Sequence, residues 1–375
     1  MQTGAAAASG DTRELRLALV CYGGSSLAIY MHGITKEIHR LVKASTMLEA
    51  GPPGWSGSAS ENVYRELLAQ LAEHDAEHVR TRVVVDIVAG TSAGGINGVY
   101  LAKALAHNRS QDALRDLWFE RGDIDQLLNA PRWLPRPLRF AWVALRLLRH
   151  SPLRGDGMSQ WLYDALAGMD EGGSAPATVT TLMPEDHLLE LFVTVTDFYG
   201  YDRQVPIYQP HFVHDSRHRH VLGFGYEAGG RDELSEQSNG ELAFAARTTS
   251  CFPGVFPPVS LAGFARYLDG RNADLSGLHR LFRLYELAGT RPDDTWFVDG
   301  GVLDNKPFGY AIQAIRQRPA DLEVDRRLLY LEPSPGTPAP PSPHHAPNPV
   351  AALLAPSAAS HERSRSSTTC SRWRL

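Results

Sequence analysis

Apolar residues gather into two short runs in the first quarter of the chain. Residues 15–22 (LRLALVCY) and 83–89 (VVVDIVA) have the length of strands buried on both faces. Each run stops at glycine: Gly23-Gly24-Ser25-Ser26 after the first, Gly90 and a string of small residues after the second. Behind the first, Leu27, Tyr30, Met31, Ile34, Ile38 and Leu41 recur at helical spacing, and behind the second a helix is expected through about His107. Strand, glycine turn, helix, twice over, predicts an α/β protein with crossover helices on a parallel sheet. Further strands are expected at 188–196, 295–298 and 327–332, and helices at 111–120, 157–168, 239–248 and 307–318. Residues 51–60 (GPPGWSGSAS) read as a loop. No internal repeat is visible.

Composition narrows the class. The 375 residues are 43% hydrophobic and 21% charged, as in a globular protein with a large core. The net charge of −5 speaks against a nucleic-acid partner held by overall basic charge. Cys21, Cys251 and Cys370 are too few and too scattered for a disulfide framework or a cysteine zinc site, so a reducing cytoplasm is expected. No apolar run reaches the ~18 residues of a membrane span, and residues 1–14 lack the basic and apolar regions of a secretory signal. The ends differ from the middle. Residues 1–13 are rich in Ala, Gly and Ser. Eight of the 25 prolines fall within 333–349, and beyond them the tail is Ala, Ser, Pro and Arg. Disordered ends at 1–13 and 335–375 are expected around one folded domain at 14–334.

The chemistry centres on Gly90-Thr91-Ser92-Ala93-Gly94, a G-x-S-x-G between strand and helix. That context is the one a nucleophile elbow requires: glycines two before and two after let the turn close, and the serine hydroxyl stands exposed above the sheet. The alternative is a plain glycine turn or a phosphate-cradling loop. A serine nucleophile needs a base. After Asp299 the only histidines are His344, His345 and His361, all in the proline-rich tail, so a Ser…Asp…His order has no credible histidine. This points to a carboxylate base. Asp299 follows a short strand and precedes Gly300-Gly301, which permit a sharp turn beside it; a turn-capping Asp is the alternative. The Gly23-Gly24-Ser25 loop stands where backbone N–H groups of an oxyanion hole would be, or is merely a tight turn.

Four segments, in order, resemble the patatin-like phospholipase family: CYGGSSLAIYMHGI at the first glycine loop, GTSAGG at 90–95, ARTTSCFPGVFPPV at 246–259 and DGGVLDNKP at 299–307. The resemblance spans roughly residues 15–332. It implies a three-layer α/β/α fold with a mainly parallel central sheet, and lipid acyl hydrolysis by a Ser–Asp dyad without metal or organic cofactor. Ser92 would be nucleophile and Asp299 base, with Gly23, Gly24 and Ser25 as the oxyanion hole and Asn305 and Pro307 shaping the turn after the base. The substrate would be a lipid or phospholipid. A basic residue that many relatives carry in the glycine loop is missing here. That departure leaves two other expectations open: a catalytically weak lipid-binding protein, or acyl transfer or thioester hydrolysis by the same pair.

Other features are set against ordinary explanations. His211, His214, His218 and His220 crowd together as a metal site would, but interleaved charges favour a solvated loop or hairpin. Residues 136–150 (RPLRFAWVALRLLRH) suit either a core-facing helix or a basic amphipathic helix in peripheral contact with a membrane. Arg154-Gly155-Asp156 is expected to be a turn, Asp197 a capping or turn residue, and Cys21 and Cys251 small buried residues.

Overall fold

The fold is described from a computed structural model. It describes residues 12–332 apart from 25–27, 53, 76–77, 122–127, 132, 147–150, 172–178, 207, 209–210, 269, 272 and 321–322. Of the disordered ends expected at 1–13 and 335–375, residues 1–11 and 335–375 lie outside the described residues, as do Ser25 and Cys370, whereas Thr12 and Arg13 already belong to the first strand, paired along its neighbour.

Strands β1 (Thr12–Cys21), β2 (Arg80–Gly90), β3 (Leu188–Pro206), β4 (Phe212–Glu227), β5 (Phe297–Asp299) and β6 (Val324–Leu331) form one sheet. Its order is β4-β3-β2-β1-β6, with β5 on β3. The pairs β1–β2, β1–β6 and β2–β3 are parallel; the β3–β4 hairpin and β3–β5 are antiparallel. The expected mainly parallel sheet is present.

Alternation explains why the central strands are apolar throughout. On β1, Leu17 and Leu19 face the main core, while Ala18 and Val20 face a smaller core on the other side. On β2, Val88 faces the first and Ile87 and Ala89 the second. Helices α1 (Ala28–Ala50), α2 (Ala59–His74) and α3 (Ala93–His107) cover one face of the sheet, and the helix Phe308–Ile315 covers the other, its Ala311 and Ala314 buried on the strands. Those are the three layers. One polar residue interrupts β2. Asp86 occupies a bulge, skipped between the partners Leu17↔Val85 and Ala18↔Ile87. It is almost fully buried, and Arg326 of β6 grips it with two bonds of 2.6 and 2.7 Å.

Most expected elements recur with shifted ends. Residues 51–60 are only partly a loop: α2 begins at Ala59 with Ser58 and Glu61 forming a reciprocal capping box. The strand expected at 188–196 runs on to Pro206 as a hairpin arm, and that expected at 295–298 is displaced to Phe297–Asp299. The crowded histidines fall on and beside β4. His211 and His214 are exposed, His218 Nδ1 meets the Asp197 carbonyl, and buried His220 meets the Leu281 carbonyl. Each is thus placed as a hairpin residue. Arg154-Gly155-Asp156 is not a free turn, because Gly155 opens the helix Gly155–Glu171 and Arg154 pairs with Asp156 at 3.1 Å. Asp197 is a turn residue, accepting from the amides of Tyr199 and Gly200. It is also a buried anchor for the hydroxyls of Tyr285 and Thr295. Cys21 and Cys251 are buried and unbridged.

Candidate active site

Parallel pairing brings the ends of β1, β2 and β3 to one edge. Cys21 pairs with Gly90, and Gly90 with Val193, so both glycine loops leave the sheet side by side. Two residues beyond Val193, Val195 pairs with Asp299. The sheet thus carries residues 207 positions apart to a common place at the carboxyl ends of its strands, where open α/β sheets form their crevices.

At that edge Ser92 donates from Oγ to Asp299 Oδ2 at 2.7 Å. Ser92 has φ 52° and ψ −125°, a left-handed backbone that a residue with a side chain adopts only under constraint. The constraint is visible. The Thr91 amide bonds the Cys21 carbonyl at 3.1 Å, and the Ser92 amide donates to Thr249 Oγ1 at 2.8 Å. Thr249 in turn donates to the Thr194 carbonyl at 2.8 Å. Gly90 and Gly94 leave no room for a side chain: a Cβ on Gly90 would lie 2.5 Å from the Gly94 carbonyl oxygen, and one on Gly94 2.3 Å from that of Cys21. Ala93 opens α3 directly behind the serine.

Asp299 is 1% exposed. Its backbone N–H is held by the Cys251 carbonyl at 3.0 Å, and its Oδ1 accepts from Gly301 N at 2.7 Å. Burial pushes its carboxyl up to about 7; the bonds from Ser92 and Gly301 pull the other way and only partly offset this. Gly300 lets this turn press against β3, since a Cβ there would stand 2.2 Å from the Thr194 carbonyl oxygen. The turn is locked from the other side: the Asp304 carbonyl accepts the hydroxyls of Thr91 at 2.9 Å and Thr194 at 3.2 Å.

The first glycine loop abuts the pair. A Cβ on Gly23 would come within 3.1 Å of Ser92 Cβ and 2.2 Å of Asn305 Oδ1. The Gly23 amide is spoken for, donating to Asn305 Oδ1 at 3.1 Å. Asn305, expected to shape the turn after Asp299, ties the segment beyond that turn to the glycine loop. Buried Pro307 precedes the helix Phe308–Ile315. Gly24 is described next to Gly23, and Ser25 is not described.

Three residues escape a sequence-level search. Thr249 and Cys251 lie within 246–259 but hold the pair through an amide and a carbonyl, contacts that no motif spacing encodes. Arg247, fully buried, bonds the carbonyls of Gly155 at 3.3 Å and Pro257 at 3.2 Å, and also Cys251 Sγ. It fixes the loop that follows helix Asn239–Thr249. Among the described residues no group of three or more His, Cys, Asp or Glu is placed to hold a metal ion.

The chain is 33% identical over 347 residues to the uncharacterized membrane protein Rv3479 of Mycobacterium tuberculosis. The match takes in 90% of this chain but 29% of that protein, so the chain spans under a third of its relative's length. Among the described residues no helix is long and apolar enough to cross a membrane. The family model described as patatin-like phospholipase matches residues 19–312, from β1 through the elbow and Asp299 into the last helix, and the chain belongs to that family of lipid hydrolases.

Proposed function

We propose that the chain is a lipid acyl hydrolase that works through a Ser92–Asp299 dyad and an acyl-enzyme. The observation that carries this is the 2.7 Å bond from a strained, strand-to-helix serine to a buried carboxylate. Asp299 Oδ2 takes the Ser92 proton as Oγ attacks an ester carbonyl carbon. The oxyanion is held by amides of the glycine loop and the start of α3. The ester C–O bond breaks and the leaving alkoxide takes the proton from Asp299. Water then gives a proton to Asp299 and attacks the acyl carbon; Ser92 recovers that proton and a fatty acid leaves. A carboxylate pushed to about 7 suits both directions of transfer near neutral pH.

A second reading, a lipid-binding protein with little turnover, draws on one observation. The Gly23 and Ser92 amides are both already bonded, to Asn305 and Thr249, so an incoming oxyanion must displace Asn305 or rely on neighbouring amides. Covalent labelling with a fluorophosphonate, read by mass spectrometry, separates the two. The dyad reading expects label on Ser92 of the wild type and none on Ser92→Ala, with Asp299→Asn labelled at least ~100-fold more slowly. A folded wild type that takes no label refutes it.

A further inference from the structure

The helix Arg136–Arg146 carries an apolar stripe that the fold does not bury. Leu138, Ala141 and Leu145, spaced i, i+3, i+7, are all exposed, and Leu145 is 84% accessible. Trp133, just before the helix, is 81% accessible. Large apolar side chains left so open, and adjacent along one short segment, are uncommon on a surface that meets only water. Trp142 and Val143 line a cavity of about 430 Å³ roofing Asn129 and Arg154.

Charge identifies what meets this stripe. Residues 126–155 contain six arginines and no Asp, Glu or Lys, in a chain of net charge −5. Arg154 is paired with Asp156; by sequence the segment that carries the exposed Trp133, Leu138 and Leu145 is strongly basic. Basic residues with Trp and Leu beside them are the chemistry of an interfacial helix at an anionic bilayer. The segment is also mounted on the candidate site. Asn129 N bonds the Pro152 carbonyl, Leu153 N bonds the Val255 carbonyl, and Val255 belongs to the same loop as Cys251, whose carbonyl holds Asp299.

We propose that the surface formed by Trp133 and the helix Arg136–Arg146 docks the protein on anionic phospholipid bilayers, bringing the crevice at Ser92 to the lipid surface. This deepens the lipid hydrolase reading, but binding is measured without turnover, so the two stand or fall separately.

The test uses full-length Ser92→Ala protein, which leaves the lipid intact, in flotation with vesicles of pure phosphatidylcholine or with about a third phosphatidylglycerol. Binding to the anionic vesicles is expected to be at least ~10-fold tighter and to weaken steeply as salt is raised. Leu138→Asp/Leu145→Asp should lose at least ~10-fold of it. Because both positions are exposed, the melting temperature should hold. Trp133→Ala, a milder change, should lose part, and Trp133→Phe should diminish the blue shift of tryptophan emission on adding anionic vesicles. With Ser92 restored, the double variant should hydrolyse a dispersed short-chain ester like the wild type and vesicle lipid at least ~10-fold more slowly. Equal binding to both vesicle types, or unchanged binding and emission in folded variants, overturns the proposal. Loss of ester hydrolysis in the wild type with binding intact would instead overturn the hydrolase reading.

Discussion

Replacing Asp299 by Asn tests the electrostatics of the pair apart from any substrate. Asn is close to isosteric here. Its Oδ1 can keep the bond from Gly301 N, and its Nδ2 can donate to Ser92 Oγ in place of accepting from it. What it removes is the titration. Burial lifts the Asp299 carboxyl from 3.8 to about 7, a little over three decades of proton affinity. At 1.36 kcal/mol per decade, ionising it in the native state costs about 4 kcal/mol of stability. The sign follows from proton counting. Below pH 4 both native and unfolded chains are protonated and there is no effect. Between pH 4 and 7 the unfolded chain has lost a proton that the native chain keeps, so stability falls as pH rises. Above 7 the whole cost is present. Asp299→Asn should therefore gain on wild type by about 3 kcal/mol between pH 4.5 and 8.5, which for a folded unit of about 300 residues is roughly 5 °C in melting temperature. Urea unfolding of both proteins at several pH values measures it. Other titrating groups are common to both proteins and largely cancel in the difference. A difference that stays flat with pH, to within about 1 kcal/mol, would show that the native carboxyl is not raised and refute the account of the base.

The same ionisation should govern rate: kcat/KM for an ester should rise with slope one as pH approaches about 7 and then level off, as a single carboxylate base requires, whereas a profile flat from pH 5 to 8 excludes Asp299 as that base. Thr249→Ala removes the acceptor of the Ser92 amide and the bond to Thr194; stability should fall by about 1–2 kcal/mol and kcat by ~10-fold or more, with Thr249→Ser recovering much of both in paired kinetics and melts. Gly94→Ala forces a Cβ to 2.3 Å from the Cys21 carbonyl oxygen and should cost about 3 kcal/mol or more by denaturant titration, since a Cβ cannot rotate away and the atom it meets is backbone. Arg247→Met strips the carbonyls of Gly155 and Pro257 of a buried donor, so a loss of about 2–4 kcal/mol is expected in the same titration.

How far the sequence reaches can be seen residue by residue. Ser92 and Asp299 are legible because each closes a strand at glycine, a local pattern with a steric reason: the clashes at Gly90, Gly94 and Gly300 are those a side chain would make. The layers are legible because β1 and β2 are apolar on both faces. Thr249 and Asn305 are not legible as partners of this site. Their bonds to Ser92 and Gly23 join residues 157 and 282 positions apart through a backbone amide, and such contacts leave no periodic trace. Helix α2 is a different failure. Ser58 and Glu61 spell a capping box, but they sit at the end of a stretch whose glycines and prolines outweigh a local signal. The continuation of β3 to Pro206 is hidden for the opposite reason. Its outer part pairs with the β4 hairpin arm, where Asp202 is exposed opposite Ser216, so no apolar pattern is called for there.

The features hardest to read are those that reconcile two unfavourable choices. A left-handed backbone at Ser92 costs on the order of 1–3 kcal/mol, and a buried ionised Asp299 costs more again. Neither persists unless surrounding structure over-determines it. Here the determination comes from both sides of the pair. Thr249 fixes the Ser92 amide to the β3 carbonyl of Thr194, while the Asp304 carbonyl ties the turn after Asp299 to the hydroxyls of Thr91 and Thr194. Thr194 is thus a common post: its carbonyl steadies the serine and its hydroxyl steadies the acid's turn. It sits on β3 between Val193, which registers with Gly90, and Val195, which registers with Asp299, so the segments that carry Ser92 and Asp299 are set against neighbouring positions of one strand. A geometry in which the turns are tied back to the sheet is the arrangement in which an unfavourable serine and an unfavourable carboxylate can be kept 2.7 Å apart before any substrate arrives.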